Sequence, residues 1–277
     1  MRLPVLPLMT LAALLTAGAA WAQDEAQAPI DFEGGKLTIT ETEDLDKVLA
    51  FDGKELARNY VVYFDKIVDI NDQKVALFAV GDGGNQCGPA EVIVWKPKDG
   101  DIKTDFVGED CGAPPAAVTG GAIYFVPYLL PGDVNNVQAW TPENGLEVVG
   151  TITYSPQPGT GWKDLDPTKI EYMIEAFKNQ AVYDAASQLL GDKLLDLVTG
   201  LQTGGNLETA PSGLLYASGC VPHACGSADA FAAIDPKTQK LYFAQQNDSG
   251  GQTTWPALET WPSEARDLMK QELSPPQ

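Results

Sequence analysis

Histidine is almost missing from this chain: among 277 residues only His223 carries an imidazole. Any Ser-His-Asp or Cys-His catalytic site would have to be built on that one residue, and a zinc site of two histidines a helical turn apart is excluded. Positive charge is scarce too, with 18 Lys plus Arg against 38 Asp plus Glu and a formal net charge of -20. Such a surface repels phosphate, which argues against nucleic acid and for a cationic partner. Charged residues make up only 20% and hydrophobic residues 44%. A chain this apolar buries enough surface to offset its ordering entropy, so disorder is excluded as the main state.

Long apolar runs are confined to the first 22 residues. Arg2 opens a short basic end, residues 8–20 are apolar, and Ala20-Trp21-Ala22 has the small-x-small pattern of a secretory cleavage site. Cleavage is expected before Gln23, and the run is shorter than the roughly 20 residues of a membrane span. Gln23 stands where a lipid-modified cysteine would be needed. Loss of Arg2 takes the net charge to -21 and leaves a soluble chain, periplasmic or secreted, that does not span a membrane.

Cysteine is limited to Cys87, Cys111, Cys220 and Cys225. An even number in an exported chain reads as two disulfides, which leaves no free thiol nucleophile. Three connectivities exist, and the simplest pairs neighbours, Cys87 with Cys111 and Cys220 with Cys225.

Residues 23–34 and the acidic run 41–46 read as a solvated arm. Short β-rich runs follow at 60–64, 75–80, 91–95, 122–126 and 137–140, punctuated by turn signals at 98–100 and 143–145. The Pro/Gly-rich stretch 154–161 lacks hydrophobic periodicity and marks a domain boundary. Beyond it, Asp166-Pro167 opens a predicted helix with Ile170, Met173, Ile174 and Phe177 on one face. Two more helical pieces, 181–190 and 193–198, each end at a glycine. Strands are predicted at 214–218, 228–234 and 240–245, and a last helix over 263–273 with Ser263 as its N-cap. The expected fold is α+β: a signal segment 1–22, an antiparallel β domain 23–160, and a domain 161–277 of helices packed on an antiparallel sheet.

The most specific motif is Cys220-Val221-Pro222-His223-Ala224-Cys225. A disulfide across it closes a six-residue ring, worth about 2 kcal/mol in the loop-entropy account. Its larger effect is stiffness: Pro222 fixes one φ beside the imidazole, so little entropy remains to be lost when the loop docks on a partner. The bland reading is a stapled surface turn with an exposed histidine.

The hexapeptide, Gly226 behind it and the helix-then-sheet layout of residues 165–275, with Tyr183 on a helix before the sheet, resemble the bacterial inhibitors of vertebrate lysozyme. That family carries a Cys-Lys-Pro-His-Asp-Cys loop. Cys220, Pro222, His223 and Cys225 match, whereas Val221 replaces Lys and Ala224 replaces Asp. The resemblance implies that the loop enters a lysozyme cleft and that His223 binds the catalytic carboxylates, with Val221, Pro222 and Ala224 as flanking contacts. It does not reach upstream of Gly161.

Competing chemistries fare worse. Asp99, Asp101 and Asp105 hint at calcium, but Lys103 occupies a ligand position and no closing Glu follows. Tyr124, Phe125, Tyr128, Trp140 and Trp162 could line a sugar or peptide surface, with core packing as the default. The sequence therefore reads as a binding protein without catalytic residues, cofactor or metal, directed at a basic protein such as a vertebrate-type lysozyme. The alternative is a periplasmic structural or interaction protein that reuses the inhibitor fold.

Overall fold

The computed structural model describes residues 28–84, 87–247 and 251–273. The expected export signal and its cleavage site lie outside these residues.

The N-terminal region is a succession of three four-stranded antiparallel meanders. The first contains β1 (Ile30–Phe32), β2 (Gly35–Glu41), β3 (Lys47–Phe51) and β4 (Lys54–Asn59). The second contains β5 (Val61–Ile70), β6 (Gln73–Gly81), β7 (Ala90–Trp95) and β8 (Lys103–Val107). The third contains β9 (Ala116–Val118), β10 (Ile123–Phe125), β11 (Val134–Thr141) and β12 (Gly145–Thr153). Alternate residues of a strand face opposite sides, and in the middle sheet both sides are covered. Ala76, Phe78, Val92 and Val94 join Leu37, Leu49 and Phe51 of the first sheet in one core. Leu77, Ile93 and Trp95 join Ile123, Phe125 and Trp140 of the third in another. Burial on two faces is why 75–80 and 92–95 read as continuous apolar runs instead of alternating ones. Trp95 and Trp140 meet edge to face at 4.9 Å, and the Trp140 indole N–H donates to Asp105 at 2.7 Å. Asp105 thus serves as a buried tryptophan's acceptor.

The solvated arm expected at 23–34 is corrected where it is described. Phe32 of β1 is buried in the first core and Ile30 packs against it, because β1 pairs with β2 and turns its two apolar side chains to the same face. The acidic run 41–46 forms the β2–β3 turn, closed by Thr42 N–H to Asp46 O at 2.8 Å.

The C-terminal region carries α1 (Gln180–Leu190), α2 (Leu194–Thr199) and α3 (Ser263–Glu272) around a six-stranded sheet. Its strands are β13 (Thr203–Gly204), β14 (Glu208–Thr209), β15 (Leu215–Cys220), β16 (Asp229–Asp235), β17 (Lys240–Gln246) and β18 (Gln252–Trp255). One face, with Ala217, Ala232 and Phe243, packs on Val182, Leu194 and Leu197 of α1 and α2. The other, with Phe231, Ala233 and Tyr242, packs on Trp261, Ala265 and Met269. Asn179 caps α1 by accepting from Val182 N–H at 3.2 Å, and its amide donates to Gly161 O at 2.8 Å.

Three local expectations change. The single helix foreseen from Asp166 splits into short 3-10 turns at Pro167–Lys169 and Met173–Lys178. Its middle is extended because 171–173 pair with 205–207: Leu207 N–H donates to Glu171 O and Met173 N–H to Gly205 O, each at 2.8 Å. Ser263 is the first residue of α3, and the capping position belongs to Pro262. Gly200 follows α2 in the right-handed region, φ −68°, so left-handed freedom is not its purpose. A Cβ there would come within 2.7 Å of the Ala230 Cβ, so the glycine permits close packing of helix on sheet. Among the described residues no helix is long and apolar enough to cross a membrane.

Candidate functional site

Both disulfides join sequence neighbours. Cys87 and Cys111, with Cα atoms 4.6 Å apart, tie the β6–β7 connection to the chain leaving β8. Cys220 and Cys225, 4.9 Å apart, close the ring that holds the histidine. Cys220 is the last residue of β15 and the ring projects from the β15–β16 hairpin, anchored by the pairing of Cys220 with Asp229 and of Thr203 with Cys220.

Within the ring the backbone forms a β-turn. Ala224 N–H donates to Val221 O at 2.9 Å, Pro222 occupies the first corner and His223 the second, with φ +64°. A positive φ at the second corner behind proline is the type II pattern, a position that normally takes glycine. An imidazole placed there costs about 1 kcal/mol of strain, as at other non-glycine turn residues with positive φ such as Asp52 and Asn71. His223 is exposed, while Val221, Pro222 and Ala224 are half-buried around it. The turn therefore presents the ring of His223 outward from a short, stiff pedestal.

The chain behind the ring is also fixed. Ala224 O accepts from both Ser227 N–H, 3.2 Å, and Ser227 Oγ, 2.9 Å. Gly226, at φ +90°, donates its N–H to Asp229 Oδ1 at 2.7 Å. Ser227 and Asp229 escaped the sequence reading, although Gly226-Ser227-Ala228-Asp229 has the turn-forming composition that announces such bonds. They supply local acceptors and donors to a loop whose Asp position is occupied by Ala224.

Of the aromatic residues considered for a ligand surface, Phe125 and Trp140 are core and Trp162 packs half-buried against the core between helices and sheet. Tyr124 and Tyr128 are exposed. Asp99 and Asp101 lie in the β7–β8 connection, and among the described residues no three His, Cys, Asp or Glu side chains converge as a metal site would require.

Comparison with known proteins divides the chain in the same way as its architecture. Residues 181–275 match the family described as inhibitor of vertebrate lysozyme (Ivy). Residues 33–153 match the family described as Y4bG N-terminal domain. An uncharacterized protein, y4bG, of Sinorhizobium fredii (strain NBRC 101917 / NGR234) is 26% identical over 243 residues, spanning 87% of this chain and 89% of its own length. No solved structure gives a significant match.

Proposed function

We propose that this chain is an exported, acidic binding protein that inhibits a basic lysozyme by occlusion, with the His223 ring as the plug. It has two domains, 23–160 and 161–277, and acts in the periplasm or outside the cell without catalysis of its own. The observation that carries the reading is the strained, disulfide-closed turn that holds His223 outward, inside a region matched to an inhibitor family.

The chemistry is direct. A lysozyme cleft holds two carboxyl groups flanking the scissile sugar bond. An imidazole has two ring nitrogens, each able to hydrogen-bond a carboxyl group, so one side chain can engage both acids. Since the ring is already ordered, insertion costs little conformational entropy. Val221 and Ala224 leave the loop edge apolar, so Pro222, Val221 and Ala224 contribute packing around the histidine and the bonds of Ser227 and Asp229 hold the backbone.

The test is inhibition of a vertebrate-type lysozyme by the oxidised protein beside its His223→Ala variant. Inhibition lost by about 100-fold in the variant, equivalent to the ~3 kcal/mol of a buried charge-assisted contact, supports the plug. No inhibition by either protein at micromolar excess sinks it and leaves a periplasmic interaction protein that reuses the inhibitor fold.

A further inference from the structure

A second concavity, of about 370 Å³, lies where the chain leaves the third β-sheet and enters the helical region. Three tyrosines shape it. Tyr128 is 80% exposed on the loop between β10 and β11, flanked by Pro127 and Pro131. Tyr172, 40% exposed, stands between the two 3-10 turns. Tyr154, half-buried, packs at 5.3 Å on Tyr183 of α1.

The walls are rigid. Leu130 packs into the α1–α2 core, Asp133 N–H donates to Leu130 O at 2.9 Å, and Tyr154 N–H donates to Asp133 O at 3.0 Å. Tyr172 bridges Asn206, and Gln157 N–H donates to Lys178 O at 2.8 Å. Glu175 and Lys178 supply a fixed ion pair of 2.8 Å. The second Glu175 oxygen accepts from Glu171 and Tyr172 N–H at 2.9 and 3.3 Å. Lys178 first, and these amides with it, hold the Glu175 carboxyl down at about 2. Burial first, with Tyr128 and Tyr183 adding to it, pushes the Tyr154 hydroxyl up to about 12, so it remains a neutral donor at physiological pH.

Tyr128 and Tyr172 expose their rings side by side in one concavity, the clustered kind of exposure that marks a contact site. The lining decides the ligand. A cation meets the Lys178 ammonium, and the nearby carboxylates are already engaged, Glu175 by Lys178 and Glu171 by the Tyr172 hydroxyl. An anion meets Glu175 and a chain of net charge -20. A purely apolar ligand would strand the phenol hydroxyls and the ion pair without water. A neutral polyhydroxylated ring satisfies every group: its C–H face lies on the tyrosine faces and its hydroxyls reach phenol oxygens, Ser155, Glu175 and Lys178. The volume lies in the range of small-molecule sites.

We infer that the pocket bounded by Tyr128, Tyr154 and Tyr172, with Glu175 and Lys178 in its wall, is a binding site for a neutral glycan. It is independent of the His223 ring, so it holds whether or not the chain inhibits a lysozyme.

The full oxidised chain is titrated with chitotetraose and, separately, cellotetraose, followed by intrinsic fluorescence and by amide shifts in NMR. Saturable binding is expected for at least one, with a Kd of about 1 mM or tighter. Tyr128→Ala and Tyr172→Ala should each weaken it at least about tenfold. Both positions are exposed, and unchanged circular dichroism checks that the variants fold. Tyr128→Trp should restore binding, which a merely structural tyrosine would not allow. His223→Ala should leave it unchanged. Failure of both glycans to bind at about ten times that concentration overturns the inference. So does binding that neither variant weakens, or saturable binding of tetramethylammonium with no glycan binding.

Discussion

His223 is the residue at which folding and the proposed inhibition make opposite demands. The second corner of its turn, at φ +64°, suits glycine, and a side chain there costs about 1 kcal/mol. His223→Gly removes that strain while adding freedom to the unfolded chain, so thermal stability should stay within about 1 kcal/mol of the parent. Inhibition of lysozyme should nevertheless disappear. Parallel melting curves and inhibition assays check the pair. A substantial loss of stability on His223→Gly would show that the imidazole's own contacts hold the turn, and that the histidine is there for the fold.

At the scale of elements, legibility in the sequence follows whether the partner is local. The disulfide-closed ring, the strands over 75–80 and 91–95, α1 and the β16–β17 hairpin are all written in short stretches, because each closes on its neighbour. The first sheet was hidden since β1 is three residues long and β4 mixes Lys, Glu, Arg and Asn among its apolar positions. The interrupted helix at 170–172 was hidden because the pairing that breaks it comes from 205–207, far along the chain. In the ring, Val221, Pro222, His223 and Ala224 were legible as neighbours, whereas the orientation of His223 required the backbone. Only Tyr128 of the tyrosine pocket could be singled out beforehand, since Tyr154 and Tyr172 join it through tertiary contacts.

The three-layer stack of sheets also contains its own liability. Glu91 of β7 has a buried carboxylate oxygen, Oε1, that lacks a hydrogen-bond partner. Burial first and Asp65 second push its pKa from 4.5 to about 7, against a smaller opposing pull from Lys66. Between those values the folded chain keeps a proton that the unfolded chain has released, so this residue makes stability fall as pH rises through the window. Glu91→Gln keeps the shape and removes the titration. Urea melts at about pH 5 and about pH 8 should show a smaller loss on going to the higher pH for the variant than for the parent. An identical loss in both would place the pH dependence elsewhere.

For the whole molecule, the proposed inhibition divides the work of association between charge and loop. An excess of acidic residues that gives -20 overall sets up a field that acts before contact, and its reach at physiological salt is about 8 Å. Such a field raises the rate of encounter with a basic enzyme and does little to the rate of escape. In the proposed complex the stapled ring acts after contact, where a desolvated imidazole among carboxyl groups would govern dissociation. Raising the salt from about 0.05 to 0.5 M should therefore slow association by about tenfold or more and change dissociation far less. His223→Ala should do the reverse, leaving the salt dependence of association intact while dissociation accelerates. Surface plasmon resonance with immobilised lysozyme resolves the two rates. Association that ignores salt would show that the acidic surface faces away from the docking partner, and the loop alone would then have to account for recognition.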